Sequence, residues 1–552
     1  MRIFRVPWFL MLAVMVPVAL RAQDIRVTVH DSANGRPVAG AVLLFLDAAG
    51  ATISRTLTNE RGEYRGTLAS PAHRVRALRL GFRAREVPVP ATDGAPAQVN
   101  IAMLVIPTLL EPVNVRALAS CPARSDAPAA FALLEQARAG LLATIVAREA
   151  NPATLKLLRY ERMMEGVSDR VDRQTVRVDS GTKRAVSFAA AGKARDFIRS
   201  GFTSDSGSVR TYYGTDAEVL LDDDFLLGYC LRLESSASRP HQVGLGFGAA
   251  ERQKGRIDIQ GTLWIDTVAR SLRDIQYEYA GSVEHWPGVP PQGGSISFHE
   301  MPNGVAFIDR WRLTLVAAGS DTTFRAGSNG PSVHRWFFLR ASGGEVARAI
   351  WADGTMWKGS LGTVHLHVVD DKGKPARNLI VRLGDSDYLG SADERGDIEF
   401  TDVFPGPYKV NVIHPDLAEK GIVLGTPLKL FADRDSTSQA TLIAPPIADF
   451  RRAACDREAG ASWLVVSVVR DKAPAAEAKW EFGEELGTAT EFVSVTGFAD
   501  KDGHFAFCYK VAPGIDQQLR ISGAEGDRPV KLDIGKPKSA MEVDLGPLPK
   551  SP

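Results

Sequence analysis

The residues of this chain that could do chemistry are few and scattered. His365 and His367 alternate within TVHLHVV, so both imidazoles leave one face of a strand, a spacing at which two histidines can share a divalent metal. No third ligand stands near them in sequence, and a pair of surface histidines is the expectation. None of the ten histidines lies in H-E-x-x-H or H-x-x-E, and no G-x-S-x-G elbow, C-x-x-C pair or Walker loop occurs. GLGFGA, residues 244–249, is a loosened dinucleotide fingerprint. It runs into a strand where the fingerprint needs a helix, so its glycines read as turn glycines. Asp222, Asp223 and Asp224, and likewise Asp500 and Asp502 followed by Gly503, resemble the start of a calcium loop. Both lack the acidic residue at the far end of such a loop and read as polar turns.

Two residue types remain. Trp286, Trp351 and Trp357 lie near turns and can stack on a sugar ring, although tryptophan in a β-protein more often serves the core. The four cysteines are even in number. In an oxidising compartment they are expected to bridge, Cys121 with Cys230 and Cys455 with Cys508. No cofactor and no metal site is expected from these patterns.

The elements that must position these residues begin after residue 22. Residues 1–22 carry Arg2 and Arg5 before an apolar run, Val6 to Leu20, and read as a signal peptide cleaved after Ala22. The 66 basic and 65 acidic residues nearly cancel, and both signs are interspersed. That balance argues against nucleic acid or an anionic membrane as partner. No later apolar run is long enough to span a membrane, so an exported protein of the periplasm or outer cell surface, without a transmembrane span after cleavage, is expected.

Residues 24–117 form the first module. Ile25, Val27 and Val29 alternate, a turn with Gly35 and Pro37 follows, and Val42, Leu44 and Leu46 alternate again. Gly62, in TNERGEY, is placed where a tight turn needs positive φ. Short strands, Gly-rich and Asn-rich turns and no helical period give a small antiparallel β-sandwich. Residues 121–350 pair one helix, with Phe131, Leu134, Leu141, Leu142 and Ile145 as its apolar stripe, with a broad antiparallel sheet. Gly261 to Gly281 is the central hairpin of that sheet. The helix is expected to dock on it by that one face. Residues 362–442 repeat the first module, including a turn at Gly396, and residues 462–548 repeat it again around Gly503 and Phe505. Linkers fall near Gly354 and Pro445.

The segments DSANGRPVAGAVL, TNERGEY and RLGFRAREVPV resemble the carboxypeptidase regulatory-like domain. That resemblance implies a transthyretin-like seven-strand sandwich that accompanies other domains and is not itself catalytic. LLDDDFLLGYC, GTLWID, LRDIQYEY and MPNGVAFIDRWRL are similar to a group of bacterial exported proteins in which such a domain precedes a sheet. The fold class is therefore mainly β and multidomain, with sandwiches flanking a larger antiparallel sheet and one docked helix. The expected function is non-catalytic: a binding or structural protein of the cell envelope that meets a protein or a carbohydrate. The alternative is a periplasmic carrier that holds a lipid or hydrophobic peptide in the middle domain. A closed apolar cavity of several hundred cubic ångströms would favour the carrier, and a filled core the first reading.

Overall fold

The computed structural model describes residues 23–92, 95–106, 127–180, 188, 190–206, 209–251, 253–281, 288–302, 304, 306–323, 332–485, 492–510, 517–523, 526–531 and 539–546. Its backbone forms two compact units, residues 1–172 with 177–359, and residues 173–176 with 360–552. The chain is mainly β, as its residue pattern implies. Residues 1–22, read as a signal peptide, and Cys121 and Trp286 lie outside the described residues.

One seven-strand plan occurs three times. In the first sandwich the strands are Gln23–Asp31, Val42–Leu46, Thr52–Leu57, Glu63–Leu68, Arg74–Leu78, Arg85–Pro88 and Ala97–Met103. The first strand lies between the fourth and the seventh, and the other four make a second sheet in the order third, second, fifth, sixth. The strands of the second sandwich, Gly362–Val369 through Thr437–Ile443, and of the third, Ala461–Arg470 through Ala540–Asp544, follow the same two orders, the third adding the two-residue strand Ala473–Pro474 beside its first. In all three the first and seventh strands run parallel. Alternation dictates the packing. Ile25, Val27 and Val29, then Val364, Leu366 and Val368, then Leu464, Val466 and Val468 are the buried positions of the three first strands.

The turn before each fourth strand is also one device used three times. Asn59, Asp393 and Asp500 each accept, on Oδ1, the N–H groups two and four residues later, at 2.8–2.9 Å. Gly62, Gly396 and Gly503 close the turns at φ of 69°, 82° and 76°. Their carbonyls accept from the N–H of Val29, Val368 and Val468 in the first strands. Asp500 is thus spent on backbone, which accounts for the calcium-like run there. The N–H groups of Asp397 and Arg395 hold the Asp393 carboxyl below its ordinary range. A depressed carboxylate stabilises the fold above its ordinary range, and that contribution is lost as pH falls through the lowered value. Asp393→Asn should keep the turn, as Asn59 does in the first sandwich, and should remove this component from the acid dependence of the unfolding temperature. An acid limb identical to that of the wild type would contradict the assignment.

In the first unit, nine antiparallel strands make one sheet. Its order is Tyr229–Glu234, Gln242–Ala249, Ile257–Asp266, Ser271–Gly281, Gly293–Glu300, Ala306–Thr323, Ser332–Ile350 and Thr154–Met164, with Met356–Lys358 paired to Ser332–Ile350. The hairpin read from sequence is its centre. Asp266 Oδ1 accepts from the N–H groups of Val268 and Ala269 and sets the turn. Gly354 lies in the turn that leads into Met356–Lys358, so the chain leaves this unit after Gly359 and not at Gly354.

The long helix, Ala127–Ala150, differs from expectation in having two buried faces. Leu133, Ala137, Leu141 and Ile145 pack on Ile275, Leu272 and their neighbours of the middle sheet. Ala143 and Val146 face the other way, onto Val42, Leu44, Leu57 and Leu78 of the first sandwich. Gln136 reinforces this, since its Oε1 accepts from the Gly81 N–H at 2.8 Å. First sandwich, helix and sheet therefore share a core. Gln136→Leu leaves the buried Gly81 N–H without an acceptor and should cost about 1–3 kcal/mol in chemical denaturation. A change within error would place Gln136 outside the contact.

Candidate binding face of the middle sheet

The long helix and the short helices Ala194–Ser200, Ala217–Leu221 and Asp223–Gly228 cover one face of the sheet. Asp216 and Asp222 cap the last two by accepting from the N–H groups of Val219 and Asp224. The aspartate run 222–224 is therefore a helix start. Phe197, Phe225, Tyr229, Phe247, Tyr277 and Tyr279 fill the space below. Burial pushes the phenols of Tyr229, Tyr277 and Tyr279 far above their ordinary range. The open space found beside the helix, bordered by Ile145, Leu155, Phe307 and Trp351, is a cleft of about 70 Å³. This is well under the several hundred cubic ångströms that an apolar cargo needs.

Trp351 and Trp357 go to packing. Trp351 is 4% exposed and meets Phe307 edge-on, so it offers no face to a sugar ring. Trp357 is half-buried, 5.2 Å from Phe307 and 5.1 Å from the His299 ring. Burial lowers the His299 pKa. Cys230 is disulfide-bonded, and Cys455 is joined to Cys508. His365 and His367 stand on the outer face of the second sandwich.

The other face of the middle sheet is polar, and the glycines of 244–249 explain how it is built. They lie in the strand Gln242–Ala249, between Tyr229–Glu234 and Ile257–Asp266. A Cβ on Gly246 would fall 2.5 Å from Glu234 Oε1, and one on Gly244 would fall 2.6 Å from the Thr262 methyl. With no side chains there, Thr262 reaches across the strand and donates to Glu234 at 2.5 Å. The fingerprint-like run is thus a bare strand that lets its neighbours hydrogen-bond over it.

Beyond it the face continues. Gln260 donates to Glu278, and Arg312 donates to Thr314 at 3.0 Å. Arg239 grips Asp274 with two bonds of 2.8 and 3.1 Å and lies 4.8 Å over Trp264. Gln260, Glu278, Arg312 and Thr314 border a groove of about 560 Å³ that Gly261, Gly293, Gly294, Pro290 and Pro291 also line. A second groove, of about 320 Å³, shares Arg232 and Gln260 with it. Asp258 lines that second groove. Its Oδ2 accepts from Arg256 at 2.9 Å, its Oδ1 is buried without a partner, and burial raises its pKa. No sequence motif marks this face, because its residues come from six strands. Its only linear trace is the alternation of Gln260 and Thr262, and of Gln276 and Glu278, with buried neighbours.

Residues 24–104 match the family model of the carboxypeptidase regulatory-like domain. That segment is therefore a regulatory-like domain by its sequence. A comparison with curated proteins gives no match. Among solved structures the chain is similar to the Bacillus anthracis TIE protein, at 9% identity and a TM-score of 0.15, with 62% of this chain and 63% of that one covered. It is also similar to the major pilin subunit of Bacillus cereus, at 10% identity and a TM-score of 0.14, covering 77% of this chain and 99% of the pilin. The minor pilin of Streptococcus agalactiae aligns at 11% identity and a TM-score of 0.15 over 35% of this chain and 99% of its own. At such scores the chains do not superpose as wholes.

Proposed function

We propose that this chain is a non-catalytic binding protein, exported to the periplasm or outer cell surface, and that the polar face of its middle sheet holds a carbohydrate chain. The observation that carries the reading is the groove between Arg232 and Thr314. Its lining mixes the amides of Gln260 and Gln276, the hydroxyls of Thr262, Ser295 and Thr314, and glycines with the apolar Pro290, Pro291 and Leu339, and both charge signs are present, which suits a neutral ligand with hydroxyl edges and apolar faces better than a polyanion. Six neighbouring strands, at about 4.8 Å spacing, give it a run of roughly 24 Å, enough for a chain of several sugar units. Several of its side chains are held by mutual hydrogen bonds, which lowers the ordering cost of binding. The regulatory-like domain at residues 24–104 supports an accessory role, and residues 1–22 support export.

The test is an array of bacterial envelope polysaccharides probed with the mature chain. Binding is expected, and Gln276→Ala combined with Arg312→Ala should weaken it at least tenfold, about 1.4 kcal/mol, without changing the circular dichroism. An array without signal, or a signal indifferent to both substitutions, would overturn the reading. A protein partner is the second reading, favoured by Val495 and Phe498, which stand 58% and 68% exposed on the edge strand Phe492–Phe498 of the third sandwich.

A further inference from the structure

We propose that His365 and His367, together with Glu399 from the adjoining strand, bind a divalent transition-metal ion of the Zn²⁺ type on the outer face of the second sandwich, with Asp397 as a positioning residue. The ligand missing from the linear sequence is supplied by strand register. Gly362–Val369 pairs with Asp397–Val403 so that His365 lies opposite Glu399, and His367 opposite Asp397. Val364, Leu366 and Val368 occupy the core, so the two imidazoles share the solvent face, with 45% and 46% of their side chains exposed.

The contacts already divide the work. His367 Nδ1 is 2.7 Å from Asp397 Oδ1, a bond that fixes the ring and leaves Nε2 as the metal donor, the usual second partner of a ligating histidine. His365 Nε2 and Glu399 Oε2 are 3.8 Å apart. That is too far for a hydrogen bond and close to the roughly 3.3 Å that separates two ligands on a tetrahedral zinc with bonds of about 2.0–2.1 Å. Among the described residues no three such donors yet converge on one point. The site therefore forms by rotation of exposed side chains and leaves a fourth position to water. On the far side, the strand neighbours Gln439 and Thr441 are neutral and add no competing charge.

The sandwich itself does not call for these residues. At the equivalent positions the first sandwich has Arg26 opposite Arg65 and Thr28 opposite Glu63. The third has Val465 opposite Ala506 and Ser467 opposite His504. Two histidines facing two carboxylates are specific to the second copy, which sets them apart from the shared architecture.

Titration of the chelator-treated full chain with ZnCl₂, followed by calorimetry, tests the site. One equivalent should bind, with affinity at least tenfold weaker in His365→Ala and in His367→Ala, and about tenfold weaker in Asp397→Asn. Co²⁺ should give the intense visible bands of four-coordinate cobalt in the wild type, and these should be absent from His365→Ala. Because the side chains are exposed, the metal-free variants should unfold at the wild-type temperature, which separates lost binding from lost folding. Absence of saturable binding, or an unchanged affinity in the variant carrying both histidine substitutions, would overturn the site.

Discussion

Replacing Cys455 and Cys508 together by alanine is expected to destabilise the third sandwich by about 4 kcal/mol, the chain-entropy value for a loop closed over 53 residues. The bond ties the helix Ile447–Asp456 to the fourth strand of that sandwich, His504–Lys510. Cys508 lies opposite Trp463 of the first strand, so the bridge anchors the helix to the central pair of that sheet. Phe450 is fully buried on the same helix, and its ring packs edge-on against His414 of the second sandwich. Releasing the bridge should thus free the helix as well as lengthen the unfolded chain. Urea denaturation followed by tryptophan fluorescence reports it directly, since Trp480 stacks on Phe505 and Phe507 inside the affected core. A midpoint unchanged on double substitution would mean that the bridge constrains nothing that the core does not already hold.

Gly396→Val should cost at least about 3 kcal/mol, with Gly62→Val and Gly503→Val close to it. Two effects add at each site. The backbone sits at positive φ, where a β-branched residue is strained. A Cβ would also stand 2.4 Å from the Val368 carbonyl oxygen at Gly396, 2.3 Å from that of Val29 at Gly62, and 2.5 Å from that of Val468 at Gly503. The neighbour is backbone in a core strand and has no rotamer to retreat into. Gly373 is the control. It too has positive φ, 76°, but nothing lies within 4 Å of its Cβ position, so Gly373→Val should show the conformational cost alone. Equal losses at Gly373 and Gly396 would show that the close approach contributes nothing.

What the sequence made legible was local. Gly62 and Gly396 were placed correctly because a turn that needs positive φ advertises itself through glycine after an acidic or amide residue. Strand alternation gave the core positions of the first strands in the same way. Three things were not legible as they were read. The stripe Phe131, Leu134, Leu141, Leu142 and Ile145 implies one buried face, but Ala143 and Val146 widen the apolar surface into a second, while Glu135 and Glu149 stay exposed. The short helices went unseen because each is too brief for a periodic stripe, and only the caps Asp216 and Asp222 announced two of them. The polar face and the pairing of His365 with Glu399 depend on register between strands, which neighbouring residues do not encode. The glycine run 244–249 reads as turn glycines in sequence but lies within the strand Gln242–Ala249, and its purpose needs Glu234 and Thr262 on either side.

The polar face of the middle sheet is tested most directly by hydrogen–deuterium exchange of residues 23–552, with and without the polysaccharide that the array selects. Protection is expected in the strands Tyr229–Glu234, Ile257–Asp266, Ser271–Gly281 and Gly293–Glu300 and in the first half of Ala306–Thr323. Protection confined to the sandwiches, or none at a saturating concentration, would contradict it.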